Sequence, residues 1–244
     1  MQKTTHHFLY FLVVLLCFTK CQLDGKKNIK TYYYPLHELY DGLTYEYRGV
    51  DNEQLPPYYW YYRTIDQDES TYLTGMYYDY NFIPQQFIRE ERVSNGMLME
   101  ELFIFQTDST DKQQQIPVEI NAGNTFPFEV QDSLGVFLYN INWFSPIDSA
   151  TNTIIRNRHY QGKTTFEFKG KKYNAVEFSV RELIENEQEG VLKVELEGRE
   201  IYAQGLGLVY VSKKAIGSSF EQTYQLYDRY PMKQLEEKFG KSLQ

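Results

Sequence analysis

Cysteine and histidine are scarce in this chain, with two Cys and four His among 244 residues. Beyond the first twenty residues only His37 and His159 remain, and they are far apart in the sequence. A zinc site needs at least three protein ligands, and neither histidine has such a set around it. No serine lies in the Gly-x-Ser-x-Gly turn that carries the nucleophile of many hydrolases. The sequence therefore predicts no metal, no cofactor and no catalytic residue.

Basic residues are also outnumbered, since 25 Lys and Arg face 33 Asp and Glu, a net charge of −8. Loss of residues 1–20, whose charges are Lys3 and Lys20, takes the net charge from −8 to −10. An acidic surface repels phosphate backbones, and no basic stripe with interleaved aromatic residues is present. We therefore expect no nucleic-acid partner.

No apolar run reaches the length of about 20 residues that a membrane-spanning helix needs. The longest run, Phe8–Phe18, has eleven residues and lies near the start of the chain. This length and position are typical of the apolar centre of a secretory signal peptide. We predict that residues 1–20 are a signal peptide and that the rest of the chain works outside the cytoplasm.

The two cysteines refine this prediction. Cleavage before Cys21 would remove Cys17 and leave one cysteine at the new N-terminus, so no disulfide could form within the mature chain. Such a cysteine resembles the lipid-modified cysteine of bacterial lipoproteins. Acyl chains such as palmitate contribute about 0.8 kcal/mol per buried CH₂ and would form a stable anchor. Lys20 stands where a small residue is usual, and the alternatives are free secretion after cleavage elsewhere or an uncleaved anchor.

Aromatic content and alternation predict a β-rich body. Aromatic residues make up 17% of the chain, 23 of them tyrosine, and such residues favour pleated surfaces. Apolar residues recur at every second position in several segments, as antiparallel strands with one wet face require. Asn95-Gly96 is a hairpin signal, and no apolar period suggests the crossover helices of a parallel sheet. We expect an all-β, mainly antiparallel fold of roughly eleven strands, either a curved meander sheet or an open or half barrel.

The chain divides into three parts. After the signal peptide, residues 21–40 are predicted to be a tether and lead-in, because 22–31 are polar and unpatterned. Residues 41–244 form a single antiparallel β domain with a C-terminal helix over 231–239, which begins at Pro231 and ends before Gly240. Gly205 and Gly207 suggest a bulge or bend and not a phosphate-binding loop, because strand pattern continues after them.

Fourteen of the tyrosines lie between Tyr32 and Tyr80, most densely at Tyr58–Tyr62 (YYWYY). On a strand, alternate residues of this segment point to opposite faces. One aromatic face could line a cavity or contact a partner, where tyrosine suits sugars, lipids or protein; the competing interpretation is two-sided packing inside a sandwich or barrel. The candidate ligand-binding residues are Tyr58, Trp60, Tyr62, Tyr78 and Trp143.

Three features underlie a resemblance to known proteins: an early cysteine, a tyrosine-rich N-terminal part, and the motif Gly-x-Gly-x-Val in a late strand pair. The chain resembles small uncharacterised lipoproteins of Bacteroidetes-type bacteria. Residues 160–230, with the run EIYAQGLGLVYV, are also similar to the curved sheet of periplasmic carriers that deliver lipoproteins to the outer membrane. That second resemblance implies a half barrel with an apolar concave face.

These inferences favour a non-enzymatic binding or envelope-assembly role for a lipoprotein that faces the periplasm or the cell exterior. The expected partners are the membrane, through the lipid anchor, and a lipid, glycan, peptide or protein ligand. One alternative is a hydrolase of envelope polymers, which needs two carboxylates about 5–10 Å apart in a cleft. Another is a structural subunit of an envelope complex, which would expose a large aromatic patch and have no pocket.

Overall fold

The computed structural model describes residues 25–50, 54–131 and 135–240. The predicted signal peptide and the predicted lipid site at Cys21 lie outside the described residues. Within these ranges the chain forms fifteen strands, two short 3₁₀ turns and one helix. None of the described helical segments is long and apolar enough to cross a membrane.

The strands follow one another with short connections. They are β1 (Lys27–Asn28), β2 (Leu43–Gly49), β3 (Tyr58–Gln67), β4 (Ser70–Tyr78), β5 (Pro84–Val93), β6 (Gly96–Thr107), β7 (Gln113–Pro117), β8 (Glu119–Pro127), β9 (Glu129–Val130), β10 (Val136–Ser145), β11 (Ala150–Phe168), β12 (Lys171–Glu187), β13 (Val191–Ala203), β14 (Gly207–Ala215) and β15 (Gln222–Tyr230). Every pairing among them is antiparallel. The predicted all-β antiparallel fold is therefore confirmed.

The sheet closes on itself, which corrects the expected curved meander or half barrel. Within the described residues twelve strands form a ring in the order β5-β4-β3-β2-β15-β14-β13-β12-β11-β10-β8-β6, and β6 pairs back with β5. The residues of β6 nearest its start bond to β5 on one side and to β8 on the other, while its last part pairs with the short strand β7. Closure satisfies backbone groups that an open sheet would leave unpaired at its edges.

Local turn chemistry explains the hairpins. Ser94 and Asn95 join β5 to β6, and Val93 pairs with Gly96, so the hairpin forms within one residue of the predicted Asn95-Gly96 turn. Lys169 and Gly170 join β11 to β12 and both have positive φ, 50° and 74°. Positive φ at both central residues defines the type I′ turn, whose twist matches that of the flanking strands.

The segment before β2 belongs to the fold, which corrects the prediction that residues up to 31 form a tether. β1 pairs with β9, and Ile29, Tyr33, Tyr34 and Leu39 are buried. These side chains pack in the main core with residues from the β13–β14 turn. Apolar side chains in an otherwise polar segment thus close one end of the barrel, and we call residues 27–40 the N-terminal plug.

The two glycines of the β13–β14 turn receive the plug. Gly205 and Gly207 have φ of 74° and 85°, and the Gly205 N–H donates to the Thr31 carbonyl at 3.2 Å. The register shifts beside Tyr202, so Val209 forms the expected bulge. A Cβ on Gly207 would lie 2.3 Å from the Tyr34 ring. Close backbone approach and positive φ, and not phosphate binding, account for these glycines.

Helix α1 (Met232–Phe239) confirms the predicted C-terminal helix, with Pro231 just before it and Gly240 left-handed at its end. Its buried Leu235 packs on the outer face of β3 and β4. Two further contacts fix it there. Lys238 Nζ lies 3.1 Å from the Tyr59 hydroxyl, and Lys238 also approaches the buried Glu46 carboxylate at 3.5 Å.

Candidate functional site

The barrel encloses a cavity of about 470 Å³, within the range of about 300–1,000 Å³ typical of small-molecule sites. Its walls are inward-facing side chains from both halves of the ring and from the plug. The residues that line it include Tyr33, Tyr58, Trp60, Tyr62, Tyr77, Glu90, Arg156, Arg158, Glu200, Tyr202, Val211, Lys213 and Tyr224. The cavity is therefore aromatic on one side and charged on another.

Three of the predicted ligand-binding residues, Tyr58, Trp60 and Tyr62, lie in the cavity wall. They occupy alternate positions of β3, so their side chains share its inner face. Trp60 stacks on Tyr62 with ring centres 5.4 Å apart and planes at 3°, and on Tyr77 of β4 at 5.3 Å. The stacked rings of Trp60, Tyr62 and Tyr77 form one side of the cavity, which we call the aromatic wall.

The opposite face of YYWYY is covered by the C-terminal helix. Tyr59 is buried and packs edge-on against Phe239, while Tyr61 borders the same cluster. The two faces of this strand therefore have different roles: one lines the cavity and the other joins the helix to the barrel.

The other two predicted residues are placed differently. Tyr78 is buried against Phe82 on the outside of the barrel, under the helix, because its neighbour Tyr77 takes the inward position. Trp143 packs in a separate cluster with Ile120 and Ile154. No described residue accepts a hydrogen bond from its indole nitrogen.

The charged side of the cavity is an ion-pair cluster on four consecutive strands. It consists of Arg156, Arg158, Glu182, Glu200 and Lys213. Arg158 holds Glu200 through two nitrogens, at 2.7 and 3.3 Å. Glu182 accepts from Arg156 Nε and from Lys213 Nζ, the latter at 3.0 Å. Each carboxylate is thus shared: Arg156 Nη1 also approaches Glu200 at 3.8 Å.

Sequence reasoning missed this cluster, although the signal was present. The apolar phase of β12 runs Val176, Phe178, Val180, and the next residue of that phase is Glu182. Likewise Glu200 precedes Tyr202 in the inward phase of β13, and both are buried. A charged residue in the apolar phase of an alternating strand indicates a buried pair, because an unpaired buried charge is costly.

A third carboxyl links the barrel to the plug. The Tyr33 hydroxyl donates to Glu90 of β5, and both groups are buried. Burial raises the pKa of Glu90 above its ordinary value. The Tyr202 hydroxyl donates to Glu200 at 3.1 Å. Phenol donors thus satisfy carboxylate lone pairs that the cations leave open.

We expect the ion-pair cluster to make stability depend on acid pH. The nearby cations Arg156 and Lys213 outweigh burial and lower the pKa of Glu182 from 4.5 to about 2. A carboxyl with a lowered folded pKa stabilises the fold above its unfolded pKa and loses that contribution as pH falls through its folded pKa. Between about pH 5 and pH 2 the native chain should lose about 3 kcal/mol more than E182Q does.

Denaturant unfolding at pH 5, 3 and 2 would measure this difference. E182Q is the matched comparison because Glu90, whose raised pKa acts in the opposite direction, is present in both proteins. Equal pH slopes for the native chain and E182Q would contradict the assignment of Glu182 as a charged partner.

No group of three or more His, Cys, Asp or Glu able to hold a metal is found in the part of the chain that the structure describes. The lining groups instead offer aromatic stacking, phenol hydrogen bonds and fixed positive charge. Groups of this kind contact a ligand, and together they suit a molecule with a flat or apolar body and polar substituents.

Comparison with known proteins gives a fold and no sequence family. No family model matches the chain, and no curated protein matches it in sequence. Two solved structures share the fold. One, described as a candidate lipoprotein of Parabacteroides distasonis, is 9% identical with a TM-score of 0.51, covering 80% of this chain and 95% of its own.

The other structure is described as a candidate exported protein of Bacteroides fragilis with a YmcC-like fold. It is 10% identical with a TM-score of 0.52, covering 81% of this chain and 98% of its own. Neither description names a carrier of lipoproteins. The chain is thus similar in fold, across most of its length, to two Bacteroidetes proteins, one of them described as a candidate lipoprotein.

Proposed function

We propose that this chain is a lipid-anchored extracytoplasmic protein that binds a small ligand inside its barrel and has no catalytic role. The observation that carries the proposal is the cavity of about 470 Å³ with an aromatic wall and a charged side. A chain built only as scaffold would gain stability by filling that space, because well-packed interiors leave few voids larger than water.

The alternatives fit these contacts less well. In a carboxylate hydrolase one acid is kept protonated while its partner is ionised. Glu182 and Glu200 are both held by cations, which lower the pKa of each. Glu90, whose pKa burial raises, accepts from the buried Tyr33 hydroxyl, so each of the three acids is already engaged by another side chain of the fold. A structural subunit was expected to have no pocket, whereas this barrel has one.

The proposed anchor fits the geometry of the plug. Only residues 22–26 separate Cys21 from β1, a reach of at most about 22 Å. The plug closes the end of the barrel to which β1 belongs. An acyl chain on Cys21 would therefore hold the closed end near the membrane, with the opposite end, near Gln222 and Tyr224, facing away. The leader sequence and the fold neighbour described as a candidate lipoprotein support the proposed anchor.

The anchor is tested by metabolic labelling with radioactive palmitate in a bacterium that processes lipoproteins. We expect the native chain to incorporate label and Cys21→Ala to lose it entirely. Cys17→Ala is the matched control, because it removes a cysteine that the signal peptide carries away, and its labelling should equal that of the native chain. Unchanged labelling of Cys21→Ala would contradict the proposed anchor.

Ligand binding is tested on the chain that begins at residue 22, which contains every described strand and the helix. The purified protein is soaked in cell extract, dialysed and measured by native mass spectrometry. We expect a bound small molecule at one copy per chain. A mass equal to that of the bare polypeptide would count against the binding proposal.

A further inference from the structure

The ion-pair cluster has more cations than carboxylates. Arg156, Arg158 and Lys213 share two acids, Glu182 and Glu200. The remaining lining carboxyl, Glu90, already accepts from Tyr33, and its burial disfavours the charged form. By formal charge the cluster thus has one cation more than it has carboxylates. Burial also lowers the pKa of Lys213, so an anion placed beside Lys213 would favour its charged form.

Two of the three cations, Arg156 and Lys213, have exposed surface in the cavity. Arg158 is enclosed, with 9% of its side chain exposed and both ends of its guanidinium engaged. Arg156 and Lys213 share Glu182, and 21% and 32% of their side chains are exposed. Both line the cavity. An anion placed there would reach two cations that have surface left to contact it.

The aromatic wall supplies the second recognition element. Trp60 and Tyr77 stack on each other but are only half-buried, so parts of both rings remain exposed, and both side chains line the same cavity. Lys213 pairs across the sheet with Gln222, two residues before Tyr224, which also lines the cavity and packs edge-on against Tyr58. Anionic and apolar contacts are therefore available to one molecule at the same time.

We propose that the ligand is a small organic anion: a carboxylate, phosphate or sulfonate group held by Lys213 and Arg156, joined to an apolar body that lies on Trp60. This inference rests on the proposed binding function and adds the chemical class of the ligand. A charge-assisted hydrogen bond to the anion would balance the excess charge of the cluster. A flat body would gain most from the stacked rings.

Two fluorescent probes separate the anionic contact from the apolar one. The probe 1-anilinonaphthalene-8-sulfonate carries a sulfonate, and N-phenyl-1-naphthylamine has the same ring system without the charge. We expect Lys213→Met to weaken binding of the sulfonate probe about tenfold, a typical value for one charged contact, and that of the neutral probe less than twofold. Glu182 keeps Arg156 in this variant, so its charge stays paired.

Lys214→Met is the matched control. Lys214 is the next residue on β14 and points outward to Glu197, so its loss changes net charge equally without touching the cavity. Both probes should bind this variant as they bind the native chain. Lys213→Arg keeps the charge and should keep the sulfonate probe. Equal weakening of both probes by Lys213→Met, or no weakening, would overturn the anionic assignment.

Displacement of a bound probe from the native chain tests the same contacts without any variant. Displacement of the neutral probe by 2-naphthoate is compared with displacement by the uncharged 2-naphthamide, and decanoate replaces the ring by an acyl chain. We expect naphthoate to act at about one tenth of the naphthamide concentration. A stronger effect of decanoate than of naphthoate would identify an acyl body, the reverse a ring body. Equal potency of naphthoate and naphthamide overturns the inference, whereas absence of neutral-probe binding overturns the proposed function itself.

Discussion

Replacing Arg158 by methionine should lower the free energy of unfolding by about 3–5 kcal/mol. Arg158 is buried beside the equally buried Glu200 and also donates to the Thr125 carbonyl at 3.2 Å. Methionine fills a similar volume but leaves the Glu200 charge with the more distant Arg156 as its remaining cation. An inadequately compensated buried charge costs more than the original pair contributes, which is why the single change is severe.

Two further variants isolate this cause, with denaturant unfolding as the measurement. R158M/E200Q also removes the charge on the acid and should recover at least half of the loss. Arg199→Met removes an exposed arginine from the outer face of β13, where it pairs with Glu177, and should cost less than about 1 kcal/mol. A cost for Arg158→Met as small as that for Arg199→Met would contradict the assignment.

Gly207→Ala should destabilise the chain by about 2–6 kcal/mol, because two penalties combine. A residue with a side chain at φ 85° is strained, which costs about 1–3 kcal/mol. The new Cβ would also lie 2.3 Å from the ring of the buried Tyr34, and overpacking of this kind costs about 1–3 kcal/mol. The damage would fall on the contact between the barrel and the N-terminal plug.

Gly205→Ala is the matched control for this prediction. Gly205 has a similar φ of 74°, but nothing lies within 4 Å of its Cβ position. Its variant should show the backbone penalty alone and therefore a higher melting temperature than Gly207→Ala. Equal melting temperatures for the two variants would contradict the close approach of Tyr34.

The parts of the fold that depend on local chemistry could be predicted from the sequence. Apolar residues at every second position predicted the antiparallel strands, and Asn95-Gly96 predicted a hairpin. Pro231 and Gly240 predicted the two ends of the helix to within one residue. Each of these signals lies within a few neighbouring residues, so no knowledge of distant contacts was needed.

Closure of the barrel and the role of the plug depend on contacts between distant residues. β6 pairs with β8 as well as β5, and Tyr33 contacts Glu90 across 57 residues of chain. Alternation does not specify which sheet edges meet, so an open sheet and a closed ring look alike in sequence. The polar composition of residues 22–31 concealed the buried Ile29.

The candidate site was predicted in part. The phase of YYWYY correctly grouped Tyr58, Trp60 and Tyr62 on one face, and that face lines the cavity. Tyr78 was chosen by residue type and points outward, where helix α1 covers it. The charged side was not predicted because Arg156, Glu182 and Lys213 meet only when the four neighbouring strands β11–β14 align in register.

If a small molecule occupies the barrel interior, a bulky side chain that fills the cavity should exclude it. Val211 lines the cavity, whereas Val191 is exposed at a strand end. Titration of N-phenyl-1-naphthylamine into correctly folded Val211→Trp and Val191→Trp is the measurement. We expect Val211→Trp to lose the probe and Val191→Trp to bind it as the native chain does. Equal binding by both variants would show that the probe does not occupy the barrel interior.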